Sequence, residues 1–271
     1  MSYNILAILD RPQTAHSVLA AAALTAKRTG NASIEALHLR HDALEGFLPT
    51  EEVMTKPREL ELEGAATRKS AEMHDLFNTW HQQAGTGDWK EVVGETKNVV
   101  TAEATNADFV VIGHGAERYQ GDAKQAIHAA MFDAKRATII VPEAIPTSLG
   151  RSIAVAWKPS AAADRAIDAA MPLLIRAEQV NILMETDDGD EKAEPVSGLK
   201  RLRQAGVPVT MLRFQANGRK IGDALIDEAH NVGADLLVMG AYTHNSFAEF
   251  ILGGATREVL ATADLPVLMH H

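Results

Sequence analysis

The sequence predicts an α/β protein built from two tandem, open-twisted, mostly parallel five-stranded sheets flanked by helices. Three observations predict it. The segment Asn106-Ala107-Asp108-Phe109-Val110-Val111-Ile112-Gly113 returns as Gly233-Ala234-Asp235-Leu236-Leu237-Val238-Met239-Gly240. Each copy is preceded by a short apolar run, Ile5–Leu9 or Ile153–Trp157, and followed by another, Ala137–Val141 or Leu265–Met269. Between these runs lie stretches with helical spacing, so strands alternate with helices, the order that gives parallel pairing through crossovers.

The elements follow in order. In the first copy strands are predicted at about 4–9, 33–39, 89–94, 108–113 and 137–142, and helices at about 14–29, 57–84, 98–106 and 119–133. The first helix is placed from Thr14. In the second copy strands are predicted at about 152–157, 179–184, 208–213, 235–240 and 266–270, with helices at about 160–174, 195–205, 219–232 and 246–262. Phe109–Ile112 and Leu236–Met239 are apolar at every position, as central parallel strands buried on both faces require. The Pro/Gly/Ser-bearing stretch from Glu143 to Gly150 separates a first domain, 1–144, from a second, 151–271. His41–Pro57 reads as a loop or short helix. The acidic run Thr186–Glu191 reads as a solvated loop, since its spacing is not that of a twelve-residue calcium loop.

Composition narrows the function. Of 271 residues 46% are apolar and 23% charged, ordinary for a globular chain. A net charge of −10 disfavours nucleic acid as a partner, yet leaves room for a single nucleotide held by backbone N–H groups. With no cysteine, disulfides, thiolate metal sites and cysteine nucleophiles are excluded. The N-terminus, MSYNILAILDRPQ, reads as an immediate first strand and not a signal peptide, and no apolar stretch reaches the ~18–20 residues of a membrane span. The expectation is a cytoplasmic protein without a membrane partner.

The stretch Gly240 to Arg257 carries the most chemistry. A strand ends at Met239 and a glycine follows at its carboxyl end, where open α/β sheets place ligands. Gly253 and Gly254 precede the last helix, whose N-terminus offers unpaired N–H groups to an anion. Ala255 and Thr256 follow, the latter with a hydroxyl. Trp157 and Tyr242 would lie near the same sheet edge, to stack on a flat ligand or to fill the space. Ser246 is a candidate helix cap. The glycines could equally serve tight packing against another subunit or copy.

These residues resemble the universal stress protein family, over nearly the whole chain in two copies. Members that bind ATP carry Gly-x2-Gly-x9-Gly-(Ser/Thr) after the fourth strand. Gly240 matches the first glycine and Gly253 the third, whereas Thr243 stands at the second and Gly254 at the Ser/Thr position. The acid that follows the first strand is kept as Asp10 in copy one but is Lys158, followed by Pro159 and Ser160, in copy two. Copy one has Gly113-His114-Gly115 and no later glycine pair, so its phosphate site is read as degenerate. The resemblance implies ATP or a related adenine nucleotide in the second domain, near Ala156, Trp157, Lys158, Ser160, Met239, Gly240, Thr243, Gly253, Gly254, Ala255 and Thr256. It implies no metal beyond nucleotide-bound Mg, and an internal pseudo-dimer of the two domains, with association of two chains as a further step. Function would then be a stress-response module acting by conformational or assembly change, with slow ATP hydrolysis at most.

Two other readings stay open: a nucleotide-free interaction or scaffold protein of the same fold, and an adenylating enzyme. The second lacks a nucleophile and a Ser-Gly-Gly phosphate loop. No Gly-x-Ser-x-Gly elbow, Gly-x4-Gly-Lys-(Ser/Thr) loop or Gly-x-Gly-x-x-Gly fingerprint occurs where it would act. None of the eleven histidines has the His-Glu-x-x-His spacing of a zinc protease, and packed or solvated roles are expected for them.

Overall fold

A computed structural model describes residues 2–40, 55–114, 121–186, 196–241 and 253–271. The first half runs β1 (Tyr3–Leu9), α1 (Pro12–Thr29), β2 (Ala32–Arg40), α2 (Lys56–Ala84), β3 (Asp88–Val93), α3 (Thr96–Ala104), β4 (Phe109–Gly113), α4 (Gly121–His128), a π-helical turn (Ala129–Asp133) and β5 (Ala137–Val141). The second half runs β6 (Ser152–Ala156), α5 (Ala161–Leu174), β7 (Gln179–Glu185), α6 (Val196–Gln204), β8 (Val209–Phe214), α7 (Ile221–Asn231), β9 (Leu236–Gly240), α8 (Gly254–Thr262) and β10 (Val267–His270).

Several helix expectations shift; α3 sits two residues earlier than expected, at Thr96–Ala104, and α7 starts two residues later, at Ile221. α1 begins at Pro12, ahead of Thr14, because proline's fixed φ suits the first turn, where its missing N–H costs nothing. Thr14 therefore lies inside the helix and is buried. The helix expected to run evenly to 133 instead ends in a π-turn, closed by the Ala134 N–H donating to the Ala129 carbonyl at 2.8 Å. The described part of the last helix starts at Gly254; residues 246–252 lie outside the described residues.

Strand order is β3-β2-β1-β4-β5-β10-β9-β6-β7-β8. Each half has the same internal order, and every neighbouring pair is parallel apart from β5 and β10. Those two run antiparallel, with Val267 opposite Ile140 and Met269 opposite Thr138. The two five-stranded sheets thus join into one ten-stranded sheet. The carboxyl ends of the first half's strands point one way and those of the second half the other.

The central strands show why the apolar runs have no polar gaps. Phe109 and Val111 of β4 face one core with α1, α2, α5 and α6, while Val110 and Ile112 face a second core with α3, α4, α7 and α8. Leu236 and Val238 of β9 join the first core; Leu237 and Met239 join the second. Successive side chains of a strand point to opposite faces, so both sets must be apolar. Each core is continuous across both halves. Where α1 and α5 come together on the first face, Arg28 donates to the Arg176 carbonyl at 3.2 Å.

The repeated aspartate clamps strand starts. Asp108 accepts the Asn4 N–H at 2.8 Å and returns its own N–H to the Asn4 carbonyl at 2.8 Å. Asp235 does the same with Ser152, at 3.2 and 2.8 Å, and also accepts the Arg151 N–H at 2.9 Å. Each clamp sets the register of β1 on β4, or β6 on β9, by pairing backbone groups that precede the ladder.

One buried and one partly buried histidine give a pH dependence. His38 shares its Nδ1 with the Leu9 carbonyl at 2.9 Å and stacks on Trp89. Burial pushes its pKa down, against the raising effect of that carbonyl. Burial lowers His128 likewise, against the nearby Asp133. The unfolded chain then binds protons more readily than the folded one, so stability is intact above about pH 6.5 and falls as pH drops below it. The expected result is a lower urea midpoint at pH 5.5 than at pH 7.5, with a smaller difference in His38→Asn.

Candidate functional site

In each half the strand order reverses between the first and fourth strands, and the crevice at their carboxyl ends is where this class of sheet holds ligands. In the second half that point lies between β6 and β9, where Ala156 is in register with Met239. Gly240 follows on β9, with His270 of β10 on its other side. Ala156, Met239 and Gly240 are therefore brought together by pairing alone.

The next residues serve the fold. Trp157 turns into the first core, 7% exposed, and its indole N–H donates to Asp164 at 3.4 Å. Ser160 caps α5, its hydroxyl accepting the Ala163 N–H at 3.2 Å and donating to the Lys158 carbonyl at 3.1 Å. Lys158 is exposed. Its counterpart Asp10 is held by the Arg11 guanidinium at 2.9 Å.

Gly240 has a packing reason for being glycine. A Cβ built there would stand 2.7 Å from the Ala162 carbonyl carbon and 2.8 Å from the Ala163 nitrogen, in the first turn of α5. In the first half, a Cβ on Gly113 would stand 2.3 Å from the Thr14 Cβ, in α1. Both glycines let the helix after the first strand cross the end of the fourth.

The α8 N-terminus is different. β9 and β10 are parallel, so α8 runs back against them and its first turn lies at the carboxyl edge. Gly253 is the N-cap and supplies no side chain; the first intrahelical bond is Arg257 N–H to the Gly253 carbonyl at 3.0 Å. The N–H groups of Gly254, Ala255 and Thr256 precede that bond and have no intrahelical acceptor. Among the described residues, a Cβ on the exposed Gly254 would meet nothing within 4 Å. Thr256 is fully buried, and its Oγ1 has no hydrogen-bond partner among the described residues. Several helical threonines elsewhere bond a carbonyl one turn back, as Thr25 does to Ala21 at 2.8 Å and Thr262 to Glu258 at 3.1 Å, and Thr96 in the first turn of α3 reaches the Asp122 carboxylate at 3.4 Å. The arrangement offers N–H donors, a hydroxyl and a positive dipole end to an anion.

Thr243, with Tyr242, His244 and Ser246, lies outside the described residues. A cavity of about 200 Å³ lies at the opposite, amino-terminal edge of the first half, beside Asn4, Glu35, Asp88 and Glu103. It is acidic; because β5 and β10 are antiparallel, it shares a sheet edge with the second half's carboxyl ends but lies several strands away from the β6–β9 crevice. Among the described residues no group of three or more His, Asp or Glu is placed to hold a metal ion, and no helix is long and apolar enough to cross a membrane. Sequence reasoning missed Ala241, whose N–H donates to the His270 carbonyl at 2.9 Å and whose carbonyl takes the His271 ring nitrogen at 3.1 Å. Nothing in the residue types there marks it.

A model of the Universal stress protein family matches residues 121–271. No curated protein matches the chain. The fold is similar to the crystal structure of a universal stress protein from Archaeoglobus fulgidus, at 18% identity and TM-score 0.72, covering 99% of this chain and 96% of that one. It is also similar to a functionally unknown protein from Pseudomonas aeruginosa PAO1, at 13% identity and TM-score 0.60, covering 99% and 92%. At these identities the likeness is one of fold. The family match takes in the whole second half, together with α4 and β5, and so more than half of the chain: the protein belongs to the universal stress protein family.

Proposed function

We propose that the second half binds an adenine nucleotide, ATP or a relative, and that the protein works by a change of conformation or assembly and not by turnover. The observation that carries this is Thr256, a buried hydroxyl without a partner among the described residues in the first turn of α8, following the exposed Gly254, which sets no side chain over the backbone donors. Burying a hydroxyl unpaired costs about 1–3 kcal/mol, so its retention there is accounted for by a ligand that pairs it. Phosphate oxygens match these donors, with the base directed towards the crevice between Ala156 and Met239. Any Mg would arrive with the nucleotide. Slow hydrolysis is the most expected of this donor set.

A nucleotide-free scaffold of the same fold is the second reading. It is favoured by Gly240 and Ser160, each of which has a complete structural reason to be present. In either reading the β5–β10 pair would make the two halves an internal pseudo-dimer.

The test is calorimetric titration of ATP into the purified chain and into Thr256→Val and Gly254→Val. Thr256→Val keeps the shape and removes an unpaired hydroxyl, so its unfolding midpoint should hold or rise while ATP affinity falls about tenfold. Gly254→Val should leave the fold intact and block close approach of a phosphate. Absence of ATP affinity in the wild type would sink the nucleotide reading in favour of the scaffold. Full affinity in both variants would sink the α8 assignment alone.

A further inference from the structure

The first half ends in two uncommon backbone features. α4 gives way to the π-turn at Ala129–Asp133, and Lys135 adopts a left-handed φ of 54° before β5 begins. The equivalent α8 is regular to Thr262. A π-turn and a non-glycine residue in that φ region each cost free energy and persist where surrounding contacts demand them.

Phe132 lies within this π-turn. Its ring stacks on His128 at 4.7 Å and also meets the ring of His271, from the second half, at 4.6 Å and 54°. Asp133 steadies the turn, 3.5 Å from His128 and 3.8 Å from Lys97 of α3. His271 in turn donates through Nδ1 to the Ala241 carbonyl at 3.1 Å, while the Ala241 N–H bonds the His270 carbonyl at 2.9 Å. Both polar backbone groups of the residue leaving β9 are thus tied to the end of β10. The outer tie leans on an aromatic ring from the other half.

We propose that Phe132 is a positioning residue for the second half's ligand site: by bracing His271 it holds Ala241 and the carboxyl end of β9 in place. This rests on the nucleotide reading for its consequence, because β9 leads from the sheet to the α8 donors. Coupling through such a packed contact is reciprocal, so ligand in the second half would also steady the end of the first.

The test uses the full chain as Phe132→Ala and Phe132→Tyr, with two readouts. In the ligand-free protein, amide hydrogen exchange at Ala241 should quicken about tenfold or more in Phe132→Ala, with Val110–Ile112 of β4 unchanged. ATP affinity should fall roughly threefold to tenfold. Phe132→Tyr keeps the aromatic face and should restore both. Unchanged Ala241 exchange in Phe132→Ala overturns the brace, and faster exchange with unchanged ATP affinity overturns the positioning role. A wild type that binds no ATP overturns the nucleotide reading and the ligand-positioning role with it, while the exchange comparison still decides the brace.

Discussion

Gly240→Ala is expected to destabilise the protein by about 3 kcal/mol, with an unfolding temperature lower by roughly 6–12 °C. The added Cβ would lie within 3 Å of three backbone atoms of Ala162 and Ala163. Those atoms belong to the first turn of α5, which is fixed by the Ser160 cap and by Ala163 and Ala166 in the first core. No side-chain rotation relieves the contact, so the helix start must move and carry the core with it. Gly113→Ala offers a contrast. There the obstacle is the Thr14 Cβ at 2.3 Å, a side-chain atom, so Thr14→Gly in the same chain should recover part of the loss. No comparable partner change exists for Gly240. Equal destabilisation of Gly113→Ala with and without Thr14→Gly, or a Gly240→Ala chain as stable as wild type, would contradict this account. Thermal and urea unfolding measure it.

The same position shows where the sequence was legible and where it was not. Short apolar runs placed every described strand, and helical spacing most helices, within two residues, because strands buried on both faces are apolar throughout and period-3.6 burial leaves direct marks in residue type. The repeat also contained the reading of its own glycine. Gly113 persists in a copy with no later glycine pair, so a phosphate loop cannot be the reason common to both copies; the shared reason is the approach of the following helix. That approach is a distance between residues about 80 to 100 positions apart, and glycine spacing does not encode it.

Other features were hidden for similar reasons. Pro12 moved the start of α1 because a proline's φ, and not a capping side chain, sets that turn. The π-turn at Ala129–Asp133 has the apolar content of any buried helix end; the contact of Phe132 with His271 is visible in the structure alone. Trp157 was open between stacking on a flat ligand and filling the space; it packs in the core beneath α5, and Asp164 satisfies its N–H. Thr256 was legible as a hydroxyl beside two glycines. That its oxygen is buried and unpaired among the described residues became visible only with the helix in place.

The aspartates of the repeat give the second large effect. Asp235→Ala is expected to cost about 2 kcal/mol and Asp108→Ala about 1 kcal/mol, since hydrogen bonds to a charged acceptor are worth more than neutral ones. The difference follows from the geometry. Asp235 accepts from two successive backbone N–H groups, those of Arg151 and Ser152, and is partly buried. Asp108 accepts only the Asn4 N–H among these groups and is exposed, so water can replace much of what it gives. Asp235→Asn retains one acceptor oxygen and should recover about half the loss, whereas the alanine recovers none. Local opening distinguishes the clamp from a general surface effect. Amide exchange at Arg151 and Ser152 should quicken in Asp235→Ala well before that of Val155, whose strand is held between β7 and β9. If the two alanine variants are equally stable, the second N–H contact contributes nothing. Repetition of the motif would then rest on strand start geometry and not on the charge. If they differ as expected, the two identical Ala-Asp segments do unequal work, and the greater share falls in the half that carries the α8 donors.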